Sequence, residues 1–133
     1  MKTLISLLSA LVLLVGAIAV NAADKTSLYS AYINKDGTLA TQSPYWIDRV
    51  EYSSQPDYAA SYKIKLRPGS FQKVPKFCVV SADDKSSYEH TLYGMAKLSG
   101  KPTREEVNVI GLMLGLDGPS GDSSTSFYLV CGK

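Results

Sequence analysis

The sequence predicts an all-β fold, an antiparallel β-sandwich of jelly-roll or immunoglobulin-like type tied by one disulfide. Three observations carry that reading. Tyr58, Ala60, Tyr62, Ile64 and Leu66 alternate with Ser61, Lys63, Lys65 and Arg67, the period-two pattern of a strand with one dry and one wet face. Roughly seven or eight short segments of this kind follow one another, separated by turn signals such as Asp36-Gly37, Pro68-Gly69 and Asp117-Gly118. The only two cysteines, Cys78 and Cys131, sit in two such apolar segments.

The first residues of the 133-residue chain read as a targeting segment. Lys2 supplies a positive start, Leu4 to Val20 is apolar apart from Ser6, Ser9 and Gly16, and Val20-Asn21-Ala22 offers the small residues of a cleavage site. Residues 1–22 are therefore expected to be a cleaved signal peptide and residues 23–133 a single domain, secreted or periplasmic, with no stable membrane insertion after cleavage. A domain of about 110 residues buries about two thirds of its unfolded surface, enough for a core. In an oxidising compartment two cysteines are most simply one disulfide, Cys78–Cys131. A redox pair would usually be spaced Cys-x-x-Cys, and a metal site needs more ligands than the single histidine adds.

Along the domain, Tyr29, Ala31 and Ile33 alternate up to Asn34-Lys35-Asp36-Gly37, where Asp-Gly predicts a type I′ hairpin turn with residues 38–41 pairing back. Ser43-Pro44 ends that strand, and residues 45–52 start another with Trp46, Ile47 and Val50 as candidate core. Residues 53–57 read as a turn. After the alternating strand, Phe71 is expected to plug the core edge, and Phe77 to Val80, apolar on both parities, predicts a central strand or one face closed by the disulfide. Residues 88–98 fit both a strand and a helical stripe. In residues 103–115, Thr103 and Glu106 have the spacing of a helix capping box, but β-branched Val107, Val109 and Ile110 with Gly111 favour a strand, which is the reading taken. Residues 116–124 are turn-rich, and Thr125, Phe127, Leu129 and Cys131 alternate in a closing strand.

Four stretches together resemble a pattern of bacterial secreted and phage-tail β-sandwich domains akin to the globular heads of collagen-tailed proteins. They are Tyr29, Ala31 and Ile33 running into Asp36-Gly37-Thr38; Tyr62-x-Ile64-x-Leu66-x-Pro68-Gly69-x-Phe71; Pro75-x-x-Cys78-Val79; and Asp122 through Phe127 to Cys131-Gly132. The resemblance implies a sandwich fold; its motifs are turn and core signatures and name no site.

The formal charge of +2 falls by one with Lys2, so the domain carries no electrostatic footprint for nucleic acid or an anionic membrane. Catalytic signals are sparse: His90 is the only histidine, no nucleophile motif surrounds it, and no carboxylate pair has glycosidase spacing. Asp83-Asp84 and Asp117 with Asp122 are oxygen donors in loops, but lack the ordered spacing of a calcium loop. No metal or cofactor is expected. Binding is better served. Tyr45 and Trp46 are consecutive, so in a strand one faces inward and the other outward, where it could stack on a sugar or enter a protein partner. Trp46 as a core residue beside an exposed Tyr45 is the favoured arrangement. Lys63, Lys65 and Arg67 put three cations on one face, read first as a solvated sheet surface and otherwise as one suited to an acidic glycan or protein. The expectation is a non-catalytic binding or adhesion module for a glycan or surface protein. Its rivals are a surface-assembly subunit whose strand faces meet copies of itself, hence a homo-oligomer, and a small hydrolase.

Overall fold

The computed structural model describes residues 27–133; the expected signal peptide lies outside the described residues. The described chain forms β1 (Leu28–Ile33), β2 (Leu39–Ser43), β3 (Ile47–Gln55), β4 (Ala59–Leu66), β5 (Phe77–Ala82), α1 (Tyr88–Tyr93), β6 (Gly94–Leu98), β7 (Glu106–Gly115), β8 (Gly118–Pro119) and β9 (Phe127–Gly132). One antiparallel sheet, A, has the order β2-β1-β9-β5; the other, B, has the order β3-β4-β7-β6, with β8 folded back on β7. Among the described residues no helix is long and apolar enough to cross a membrane.

Alternation decides what goes inside. Tyr29, Ala31 and Ile33 of β1 meet Ala60, Tyr62, Ile64 and Leu66 of β4, Val107 and Val109 of β7, and Phe127 and Leu129 of β9 in one core. Aromatic rings fill the two ends of sheet A. Tyr29, Trp46 and Phe71 cluster at one end, with Phe71 4.7 Å and Trp46 5.6 Å from the Tyr29 ring centroid. At the other, Tyr62 packs against Phe127 at 5.0 Å and Tyr52 at 5.2 Å. The buried Tyr62 hydroxyl donates to the Lys35 carbonyl and accepts from the Thr125 N–H, so neither backbone group is orphaned. Burial pushes the Tyr62 phenol well above its ordinary range.

The disulfide Cys78–Cys131 joins residues directly opposite each other on β5 and β9. It is therefore a cross-strand bond within sheet A.

Several local expectations are corrected. The first hairpin turn is a type I turn closed by a glycine bulge: the Gly37 N–H donates to the Asn34 carbonyl, the Asn34 N–H donates to the Thr38 carbonyl, and Gly37 alone in the turn has positive φ; a second irregularity shifts the register between Tyr32 and Ile33. Asp36 is held in the ordinary region because its carboxylate accepts from the Thr38 N–H and hydroxyl. Residues 53–55 extend β3 instead of turning, and Tyr58 lies exposed in the tight connection to β4. Phe77 to Val80 is an edge strand, not a central one; its second apolar face, Phe77 and Val79, is 42% and 56% exposed. The ambiguous segment 88–98 is composite: six residues of helix, then strand β6. The strand reading of 103–115 holds, with Val107, Val109, Gly111 and Met113 inward. Gly111 is required there because a Cβ would collide with the Ser123 carbonyl where the loop before β9 crosses the sheet.

Candidate functional site

The five candidate ligand residues fall on the connection between β2 and β3 and on β4. The connection is built by Gln42. Its side-chain carbonyl accepts from both the Trp46 and Ile47 N–H groups at 2.7 Å, and its amide donates to the Ile47 carbonyl. One side chain thus satisfies three backbone groups across the cis Ser43–Pro44 turn. Trp46 is fully buried, with its indole N–H donating to the Ser30 carbonyl at 2.9 Å. Trp46 is therefore removed from the ligand candidates: it is the core residue that anchors the turn. Tyr45, its neighbour, points outward and is 67% exposed.

Arg67 arrives from the end of β4. Its backbone N–H donates to the Trp46 carbonyl, which also accepts from the Ser70 hydroxyl. This contact fixes the two segments side by side, and the Arg67 guanidinium lies 3.8 Å over the Tyr45 ring centroid. A cation at this distance is held by the ring's negative face. Arg67 forms no salt bridge among the described residues, and its Nε is buried without a hydrogen-bond partner. The guanidinium is positioned by the ring, and no carboxylate among the described residues neutralises it.

The two lysines behave differently from a free basic stripe. Lys65 forms an ion pair with Glu106 across the β4–β7 pair, both half-buried, and the Lys65 hydrogen bond holds the Glu106 carboxyl below its ordinary value. Lys63 is exposed but lies directly opposite Glu51 on β3 and Asn108 on β7. Arg49 is flanked by Asp48 and Glu51. The outer face of sheet B is a mixed-charge lattice, and Arg67 at its edge is the cation with an aromatic support instead of a carboxylate.

Two further features escaped sequence reasoning. His90 Nδ1 sits 3.0 Å from Asp84 Oδ2, and Asp84 also accepts from the Ser86 N–H, so the pair pins the start of α1 to the end of β5. Ser87 caps the helix by accepting from the His90 N–H. Beside it, an apolar cleft of about 570 Å³ opens between α1 and the β7–β8 hairpin, lined by Tyr93, Met113, Leu114 and Leu116 with Glu89 and Ser120 at its rim. The cleft has no local motif because it depends on α1 folding against β7, and the His90–Asp84 pair, six residues apart, follows from the short helix that the mixed pattern of residues 88–98 left open. Two of the four loop aspartates have structural roles: besides Asp84, Asp122 accepts from the Ser124 N–H where the chain re-enters the core. Among the described residues no three His, Cys, Asp or Glu side chains converge as a metal-binding group.

These carboxylates make a testable link to pH. Burial alone would raise Asp84, but the Ser86 hydrogen bonds and adjacent His90 outweigh it and hold the carboxyl below its ordinary value. Asp122 is likewise lowered, chiefly by Ser124, with His90 and Lys35 adding. A carboxyl whose folded pKa lies below its unfolded one contributes stability above the unfolded value and loses it as pH falls through the folded one. Urea unfolding should therefore show stability falling below about pH 4, with a shallower acid slope in Asp84→Asn. An unchanged slope would mean that Asp84 carries none of this linkage.

The chain matches no protein family, no curated protein and no solved structure.

Proposed function

We propose that the chain is an exported, non-catalytic binding module that captures an acidic glycan through Arg67 stacked on Tyr45. The observation that carries this reading is the Arg67 guanidinium held 3.8 Å over an exposed tyrosine with no carboxylate partner among the described residues. A planar fork fixed in this way matches a uronate carboxylate or a sulfate in bidentate geometry, and the exposed part of the Tyr45 ring offers an apolar surface to a sugar. The rigid base supports it: Trp46 is buried beneath, and Gln42 fixes the backbone of the turn. The apolar leader with its small-residue site supports export, as does a disulfide in a domain of this size.

Calorimetric titration with uronate-bearing and sulfated oligosaccharides tests the proposal. Arg67→Ala and Tyr45→Ala should each weaken binding about ten- to hundredfold, the range of a lost charge-assisted hydrogen bond. Arg67→Lys should not restore it, because an ammonium cannot form the fork. Lys65→Ala should bind as the parent does, and Tyr45→Ala should melt where the parent melts. Affinity that survives Arg67→Ala, or preference for neutral sugars, overturns the proposal; capture of a surface protein in their place points to the other partner class.

A further inference from the structure

The two outer faces of the sandwich differ in kind. On sheet B the outward positions of paired strands carry Arg49, Glu51, Lys63, Lys65 and Glu106, a charged and solvated surface. On sheet A the outward positions form three rows in register. Leu28 pairs with Gly132 and Gly132 with Phe77; Ser43, Ser30, Val130 and Val79 form the next row; Thr41, Tyr32, Tyr128 and Ser81 form the third. None of these positions is Asp, Glu, Lys, Arg or His. Leu28 is 58% exposed, Val79 56%, Tyr128 51% and Phe77 42%.

An antiparallel sheet with one face on the core ordinarily presents polar residues on the other. Here two of the rows are built around large apolar side chains. Aromatic rings cover part of the sheet: the Phe77 ring occupies the space that a Cβ on Gly132 would need, and the Tyr32 and Tyr128 rings pack 4.7 Å apart. The Tyr32 hydroxyl donates to the Asp83 carbonyl at the margin, which leaves the ring as the outward surface.

We propose that this face of sheet A is a self-association surface on which a second copy of the chain docks face to face. A neutral face meets its own copy without like-charge repulsion, a condition that the charged outer face of sheet B does not offer. A face-to-face pair is isologous, so both copies present the same face, and a two-fold axis along the strands sets each apolar row against its own counterpart. Size sets the strength. Taking roughly 150–250 Å² for a whole large side chain, Leu28, Phe77, Val79 and Tyr128 together expose roughly 300–500 Å² per copy. Doubled across the pair, that is roughly 600–1,000 Å², and Ser30, Thr41, Ser43, Tyr32, Ser81 and Val130 of the same rows add to it, which places the contact at the weak end of specific interfaces, near about 1,000 Å². The dimer is therefore concentration-dependent, not obligate.

Sedimentation velocity of the purified protein from about 1 µM to about 1 mM reads the equilibrium directly. The parent should pass from monomer to dimer within that range. Val79→Lys and Tyr128→Lys, both outward and exposed, should each raise the dimer dissociation constant at least about tenfold, with circular dichroism unchanged. Lys63→Glu on the opposite sheet should leave it where it was. An equimolar mixture of Val79→Lys and Val79→Glu chains should associate more tightly than either alone, a rescue that a misfolded variant cannot produce. Monomers at every concentration, whether or not the protein then binds neutral phospholipid vesicles through this face, overturn the proposal. So does a dimer indifferent to both lysine substitutions.

Discussion

Serine at both Cys78 and Cys131 is expected to lower the free energy of unfolding by about 4 kcal/mol. The bond closes a segment with a sequence separation of 53, and in the chain-entropy account a loop of that length confers about this much by restricting the unfolded chain. Total stability for a domain is about 5–15 kcal/mol, so the loss takes a large share of the margin. The midpoint of thermal unfolding should fall by roughly 15–30 °C. Both sulfurs are in the core, and β5 has a single hydrogen-bonded neighbour, β9. Without the bond, β5 is held by one ladder and by side-chain packing, so hydrogen exchange should rise first in residues 77–82. A variant that unfolds within about 1 kcal/mol of the parent would show that the β5–β9 ladder suffices alone.

Trp46→Ala is expected to cost about 3–5 kcal/mol, the range for emptying a large aromatic site in a packed core. Three consequences add. The Tyr29 and Phe71 rings lose their partner, the Ser30 carbonyl loses its indole donor, and the turn held by Gln42 loses its anchor. Tyr45→Ala, one residue away, should change stability by no more than about 0.5 kcal/mol, because that side chain is mostly in solvent. Urea unfolding of the two variants side by side makes the test. Equal costs would mean that the pair does not divide its labour between core and surface.

The division between Tyr45 and Trp46 shows how far sequence reasoning reaches. Consecutive residues in an extended segment face opposite ways, so that one would be inside was legible; which one followed from size. The alternation of β4 was legible because one side is fully dry. The Arg67–Tyr45 stack was not, since it depends on the β2–β3 connection crossing the end of β4, and nothing local marks that crossing. Of the two readings of Phe77 to Val80, the disulfide does close one face, and the central strand failed for a physical reason: apolar residues on both parities look the same whether a second layer covers them or they form an exposed apolar face. Thr103 misleads in a different way. Its hydroxyl does accept from the Glu105 and Glu106 N–H groups, as in a helix cap, but the Thr103 N–H donates to the Glu106 carbonyl and closes a turn. The same side-chain chemistry serves both, and β-branched Val107 and Val109 decide for the strand.

The placement of β9 has a bearing on how the chain reaches this state at all. The strands of sheet B, with β8, lie within residues 47–119, so that sheet can assemble while the remainder is still being delivered. Sheet A cannot. Of its two interior strands, β9 is the last of the described strands in sequence, paired on one side with β1, the first of them, and on the other with β5. A chain emerging from its N-terminal end would hold the β1–β2 hairpin with one edge open and β5 unpaired until residues 127–132 arrive, with the Cys78 thiol free for other partners. Contacts this distant in sequence also make folding slow once the chain is complete. Truncation before Phe127 would therefore strip the middle out of one sheet and leave two open edges, an outcome far more severe than the loss of a short tail suggests.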